Sequence, residues 1–181
     1  TSYTLTDFDP THENWFWVKV KDYWGLTSTG NPASNLIDDP PASIDVASVT
    51  YSLSEMTIIW SQSEDTDFQS YEILYSETEV GEQTSLVTIT NVETTSHSLA
   101  EFDPTHENWF WVKTKDHWGL TSIGNPASNL IDEAPAFVDV VSVAYTLTEM
   151  TITWAQSEDV DFQSYTILYS ETEAGEQTSL A

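Results

Sequence analysis

A segment reading FDPTHENWFWVK begins at Phe8 and begins again at Phe102, 94 residues later. The same offset carries Trp60 onto Trp154 and Tyr71 onto Tyr165. Residues 1–87 align with residues 95–181 without a gap, and 66 of those 87 pairs are identical. Only residues 88–94 (TITNVET) occur once. Self-similarity at one fixed period marks a tandem array of a single structural unit, so the chain is not two different domains joined together.

Breaks rich in Pro and Asp divide the array. They fall at residues 35–41 (NLIDDPP) and 129–135 (NLIDEAP), and one complete unit lies between them. The expected organisation is the back part of a unit at 1–38, a complete unit at 42–131 and the front part of a unit at 136–181. On this division the chain begins and ends inside units. Each partial unit then presents an uncovered apolar face: Leu5, Phe8, Phe16 and Val18 in the first, Met150, Ile152, Trp154, Tyr165 and Ile167 in the last.

The periodicity is that of strands. Met56, Ile58 and Trp60 alternate with polar or outward positions, and so do Met150, Ile152 and Trp154. Tyr71, Ile73 and Tyr75 alternate, as do Tyr165, Ile167 and Tyr169, while Phe16, Val18 and Val20 alternate with Trp17, Lys19 and Lys21. No stretch keeps helical spacing. About seven short strands per unit, bounded by Gly, Pro, Asn, Asp and Ser, predict an all-β two-sheet sandwich. Its inner faces are expected to hold Trp60, Tyr71, Ile73, Phe102, Phe110 and Val112. The chain has no cysteine, so aromatic packing must hold the sheets together.

In order, Met-x-Ile-x-Trp (56–60), Tyr-x-Ile-x-Tyr (71–75), Leu99 with Phe102-x-Pro104, Phe110-x-Val112 and Asp116-x-x-Gly119 resemble a fibronectin type III domain, most closely the bacterial cell-surface variety. The resemblance covers essentially the whole chain. It implies an immunoglobulin-like sandwich in which Trp60 is a core residue of strand B, residues 71–75 form strand C and the Pro104 turn leads into strand F. It also implies a non-catalytic role at the cell surface or outside the cell. One departure concerns the tyrosine that the family usually places ahead of strand F, where this chain reads Asn108-Trp109. Either Trp109 takes over that corner or the corner is absent.

Four Lys plus Arg stand against 30 Asp plus Glu, a net charge of −26. Phosphate backbones need Lys and Arg to displace their counterions, so no nucleic-acid partner is expected. The same charge opposes anionic lipid, and no apolar run approaches the 18 residues of a membrane-spanning helix, so direct membrane insertion is not expected. No basic-then-apolar leader opens the sequence. An aromatic content of 13% argues that the charge sits on a folded protein and not on a disordered acidic tail.

Catalytic constellations are not found. Thr-His-Glu-Asn-Trp, at His12 and His106, starts like a zinc-protease HExxH, but Phe16 and Phe110 stand where the second His is required, and the segment reads as a turn before a strand. Glycines occur singly at turns and form no phosphate loop. The acids are more informative. Glu64, Asp65 and Asp67, and in the next repeat Glu158, Asp159 and Asp161, fall between strands B and C. Asp38, Asp39, Asp132 and Glu133 fall in the linkers. In the family's topology linker acids and B–C loop acids meet at the pole where the chain enters a domain. Two readings stand: a solvated acidic surface suited to salt, or Ca2+ sites built from these hard oxygen ligands.

All four lysines (Lys19, Lys21, Lys113, Lys115) alternate to the outer face of strand F, together with Trp15, Trp17, Trp109 and Trp111. In one reading the lysine stems cover the indoles while Glu72 pairs with the ammonium groups. In the other the stripe, with Trp24 and Trp118 in the F–G turn, is an adhesive surface for another domain, for surface proteins or for glycans. The expected function is a structural or adhesive segment of a long extracellular fibronectin type III array. Its partners are copies of itself placed end to end as a filament or stalk, and the alternative is a carbohydrate-binding or adhesin module using the outward Trp residues.

Overall fold

The computed structural model describes residues 1–180; Ala181, the last residue of the predicted third segment, lies outside the described residues. The chain forms two compact units, Thr1–Asp132 and a second that starts at Glu133. The first unit opens with β1 (Trp15–Phe16), β2 (Lys19–Lys21), β3 (Thr27–Thr29) and β4 (Ala33–Ser34), paired as β1–β4 and β2–β3. It continues with β5 (Val46–Tyr51), β6 (Met56–Trp60), β7 (Phe68–Ser76), β8 (Thr84–Ile89), β9 (Ser96–Leu99), β10 (Trp109–Asp116), β11 (Thr121–Ile123) and β12 (Ala127–Ser128).

Strands β5 to β12 make two antiparallel sheets, β5-β6-β9 and β11-β10-β7-β8, with β12 pairing the start of β10. This is the A-B-E and G-F-C-C′ arrangement of a fibronectin type III, immunoglobulin-like sandwich, strand G being split into β11 and β12. Alternation along each strand sends one set of side chains inward. Val46, Met56, Ile58 and Trp60 from one sheet meet Tyr71, Ile73, Phe110 and Val112 from the other, and all are buried. Phe102 is partly buried and packs against this cluster. Aromatic pairs knit it, with Trp60 edge-on to Tyr71 (centroids 5.8 Å apart at 67°) and Tyr75 tilted against Phe110 (5.5 Å at 45°). The Tyr71 hydroxyl, enclosed by this packing, accepts from Ser63 N at 2.7 Å and donates to Val92 O at 3.0 Å, so its burial leaves no polar group unsatisfied. Burial raises its pKa above the ordinary phenol value.

The first sheet is tied to strand G at one point. Val46 N donates to Asn125 O, and Asp45 accepts from Asn125 through both the backbone amide and the side chain. Only glycine fits at the neighbouring position, since a Cβ on Gly124 would lie 1.8 Å from Ile44 O.

The second unit holds β13 (Val140–Tyr145) with β14 (Met150–Trp154), and β15 (Leu168–Tyr169) with β16 (Thr178–Ser179). β13 and β14 reproduce the register of β5 and β6, including the irregularity between Val46 and Ser48 that recurs between Val140 and Ser142. Elsewhere the repeats diverge. β10 is one eight-residue strand, while residues 15–21, which differ from 109–115 only in Val20 for Thr114, give β1 and β2 with a break at Trp17-Val18. The cause is the missing neighbour: β10 is zipped to β7 along its whole length, and residues 15–21 pair only with β3 and β4. Likewise β7 spans nine residues, but its repeat counterpart keeps only β15.

Candidate functional site

Two sharp corners position the polar groups at one end of the sandwich. Asn108 is buried, and its amide donates to Asp103 O, His106 O and Asn129 Oδ1, while its backbone N also donates to Asn129 Oδ1 at 2.8 Å. Asn108 and Asn129 therefore build the corner ahead of β10. Trp109 does not take that role; it is only half-buried, and its indole donates outward to Glu107. Asn14 and Asn35 repeat the arrangement in residues 1–38. The His-Glu-Asn-Trp segments lie on these turns, where exposed His12 and His106 face Asp9 and Asp103 across one turn of chain.

At the opposite pole the chain gathers acids. Carboxylate oxygens of Asp38, Asp67 and Asp116 lie within 4.8 Å of one another. Asp38 comes from the linker, Asp67 from the loop between β6 and β7, and Asp116 ends β10. Asp38 and Asp67 were expected here, with Asp39, Glu64 and Asp65; Asp116 was not, because its Asp-x-x-Gly setting reads as a turn. It is a turn as well. Asp116 Oδ1 accepts from Trp118 N and Leu120 N and closes the loop over Gly119, whose φ of 92° suits only glycine. Its Oδ2 is left over. Asp116 is fully buried, and Oδ2 of Asp116, Asp38, Asp65 and Asp67 are all enclosed without a hydrogen-bond donor among the described residues. Asp65 adjoins the cluster through Asp67, whereas Glu64 points to solvent and Asp39 acts only by its charge on Asp38.

The second set of expected acids is arranged differently. Asp132 accepts from the Tyr51 hydroxyl at 3.1 Å. Glu133 opens the second unit, and Glu158, Asp159 and Asp161 follow β14 within it. The position equivalent to Asp116 in that repeat falls after residue 181.

Burial, then the charges of Asp67, Asp116 and Asp39, hold the Asp38 carboxyl above its ordinary value of 3.8; burial, then Asp67, Asp116 and Asp38, do the same to Asp65. A raised carboxyl binds its proton more tightly in the folded chain than in the unfolded one. Its penalty is thus complete at neutral pH and is relieved as pH falls through the folded value. Asp9, Asp45 and Asp103, whose pKa values are lowered by hydrogen bonds from Thr11, Asn125 and Thr105, act in the opposite sense as pH falls below 3.8, and Glu72, lowered by Ser85 and then Lys113, does so as pH falls below 4.5. In chelator the melting temperature is expected to rise as pH is lowered from 7 towards about 4.5 and to fall at still lower pH. A profile that declines steadily from pH 7 would contradict this arrangement.

The aromatic stripe separates into covered and open members. The expectation of an exposed stripe is corrected at Trp111, which is only 5% exposed, against 56% for its repeat counterpart Trp17. The β7–β10 register sets Leu74, also buried, directly opposite Trp111, and sets Glu72 opposite Lys113 two pairs further along, on the same face. Lys113 Nζ and Glu72 Oε2 are 3.1 Å apart, and the Ser85 hydroxyl and then Lys113 hold Glu72 below the usual carboxylate range. Trp15, Trp17 and Trp24 are exposed. Trp118 is half-buried; its ring lies 5.1 Å from Phe8, joining residues 1–38 to the F–G turn beside Asp116.

Together these features define a fibronectin type III-like sandwich with a carboxylate-lined pole where its linker arrives. No protein-family model and no curated protein matches the chain. Among solved structures it is similar to pectate lyase Pel3 from Pectobacterium carotovorum (TM-score 0.43, 14% identity, over 52% of this chain and 27% of that one). It is similar also to domains A168–A170 of titin (0.42, 14%, 70% and 43%) and to the FN1–FN3 domains of chicken CNTN1 (0.39, 18%, 92% and 63%). The chain thus spans less than two thirds of the length of each. No helix of the described residues is long and apolar enough to cross a membrane.

Proposed function

We propose that the chain is a non-catalytic structural or adhesive segment of an extracellular array of fibronectin type III modules, of the bacterial surface kind, whose modules continue one another end to end. The observation that carries this reading is the pairing of buried and bare positions across the repeat. Met56 and Phe110 are fully buried in the central module, while their counterparts Met150 and Phe16 are 65% and 54% exposed. Residues 136–180 repeat residues 42–86, and residues 1–38 repeat residues 95–132. Inside the central module those two stretches join edge to edge in both sheets, β9 beside β6 and β10 beside β7, and close around one core. The cover that fits each bare face is therefore the other half of the same repeat, supplied by a further module.

A contact between the C-terminal half of one copy and the N-terminal half of the next is heterologous and does not close on itself, so it propagates as a filament. Sedimentation velocity of the 181-residue chain over a range of concentrations tests this. The sedimentation coefficient is expected to rise with concentration, and Met150→Asp, which puts a charge on the bare face, is expected to abolish the rise. A concentration-independent monomer, or association untouched by Met150→Asp, would overturn the non-covalent form of this continuation and leave only modules continued within one longer chain.

A further inference from the structure

We propose that Asp38, Asp65, Asp67 and Asp116 bind one Ca2+ ion, which clamps the linker to the entering pole of the central module. An acidic surface by itself is no site, because carboxylates in water are solvated singly and repel one another. Here one of the carboxylates is interior. Asp116 is fully buried, two backbone amides consume its Oδ1, and its Oδ2 has no donor among the described residues. Three further enclosed Oδ2 atoms from two other segments share that condition. Burying an anion without a partner is strongly unfavourable in a protein interior, and the neighbouring carboxylates add mutual repulsion. Protein cations do not answer this charge: the ion pairs among the described residues involve Lys113, His12 and His106, none of them with these four acids.

The chemistry selects the ion. Four carboxylates are hard oxygen donors, with neither imidazole nor thiolate among them, which disfavours zinc and softer metals. Oxygens 2.3–2.6 Å from a shared centre are separated by at most about 4.6–5.2 Å, and one carboxylate oxygen each of Asp38, Asp67 and Asp116 lie within 4.8 Å of one another, with the enclosed Oδ2 of Asp65 beside Asp67. Mg2+ keeps most of its waters and takes one or two carboxylates, whereas Ca2+ accepts six to eight oxygens in irregular geometry. The ligands also come from places that need joining. Asp38 belongs to the linker, Asp65 and Asp67 to the β6–β7 loop and Asp116 to the end of β10, while the Asp67 carbonyl already accepts from His117 N. An ion at this point ties residues 1–38 to the sandwich beside the Phe8–Trp118 contact. The site does not depend on end-to-end assembly, since all four ligands belong to the first unit.

Calorimetric titration of the 181-residue chain with CaCl2, after chelator treatment and at constant ionic strength set with NaCl, tests the proposal. One ion per chain is expected at a dissociation constant no weaker than about 1 mM, the weak end of extracellular calcium modules, with a parallel rise in melting temperature. Asp116→Asn keeps the Oδ1 acceptor for the turn and is expected to weaken binding at least tenfold. Asp38→Asn, in the linker and outside the sandwich core, is expected to do the same, so the result does not hang on one buried substitution. Glu79→Gln, on the distant β7–β8 turn, is expected to change nothing. A Ca2+ effect matched by Na+ alone, an equal response to Mg2+, or equal losses in Glu79→Gln and Asp38→Asn would each overturn the site.

Discussion

Trp111→Ala is expected to lower the stability of the central module by about 3–5 kcal/mol, the range for truncating a buried Trp, while Trp17→Ala costs that module less than about 1 kcal/mol. The two tryptophans sit in the same sequence, NWFWVK, and their local preferences are identical. What differs is β7. It places Leu74 across from Trp111 and the Glu72–Lys113 pair beside it, so a residue on the outer face of the sheet is nearly as enclosed as one in the core. Residues 15–21 have no such strand next to them, and Trp17 stays open. Denaturant unfolding of the two variants, followed by a signal of the central module, measures the difference. Equal and small losses would show that Trp111 lies on an open surface after all.

Gly124→Ala is expected to destabilise the central module by about 3 kcal/mol or more, at or above the usual range for overpacking, because the obstacle is backbone and not a side chain that can turn away. The added Cβ would lie 1.8 Å from Ile44 O, 2.2 Å from Ile44 C and 2.6 Å from Asp45 N. Relief requires residues 44–46 to move off strand G. That movement breaks the Asn125–Asp45 hydrogen bonds and the Val46–Asn125 bond, and it exposes Ile44 and Val46. Gly30 is the same residue one repeat earlier, and a Cβ there meets only Val18 O at 3.8 Å. Gly30→Ala is expected to stay within about 0.5 kcal/mol. Thermal unfolding of both variants decides the matter, and a well-folded Gly124→Ala module with unchanged melting temperature would refute the close approach.

The repeat makes the chain its own control, because nearly the same residues occur once inside a finished sandwich and once outside it. What survives in both places is what the local sequence determines. The Asn108–Asn129 corner recurs as Asn14–Asn35, the Asp-Thr turn at Asp103 recurs at Asp9, and the β5–β6 register recurs in β13–β14 with its irregularity intact. These rest on hydrogen bonds and strand pairs closed between residues about twenty apart or fewer, so they form wherever their own segment is present. The alternation that marks Trp60, Tyr71, Ile73, Phe110 and Val112 as inward is of the same kind, and those positions are the core.

Other features needed the second sheet or a distant segment. Whether FWVK continues as one strand depends on β7, since a strand with an unpaired edge has no partner for half of its backbone groups. Whether Trp111 is covered depends on Leu74 and Glu72, which alternation alone places on the outer face and therefore in solvent. The acidic pole shows the limit most clearly. Sequence proximity brings Glu64, Asp65 and Asp67 together, and the topology implied by the family resemblance sets the linker acids beside them, but the Asp-x-x-Gly pattern assigns Asp116 to a turn. Asp38 and Asp116 converge across 78 residues of chain only because β10 runs back alongside β7 and ends where the linker arrives. Charge and hydrogen-bond demand at Asp116 Oδ2 are properties of that convergence, and no local pattern of residues carries them.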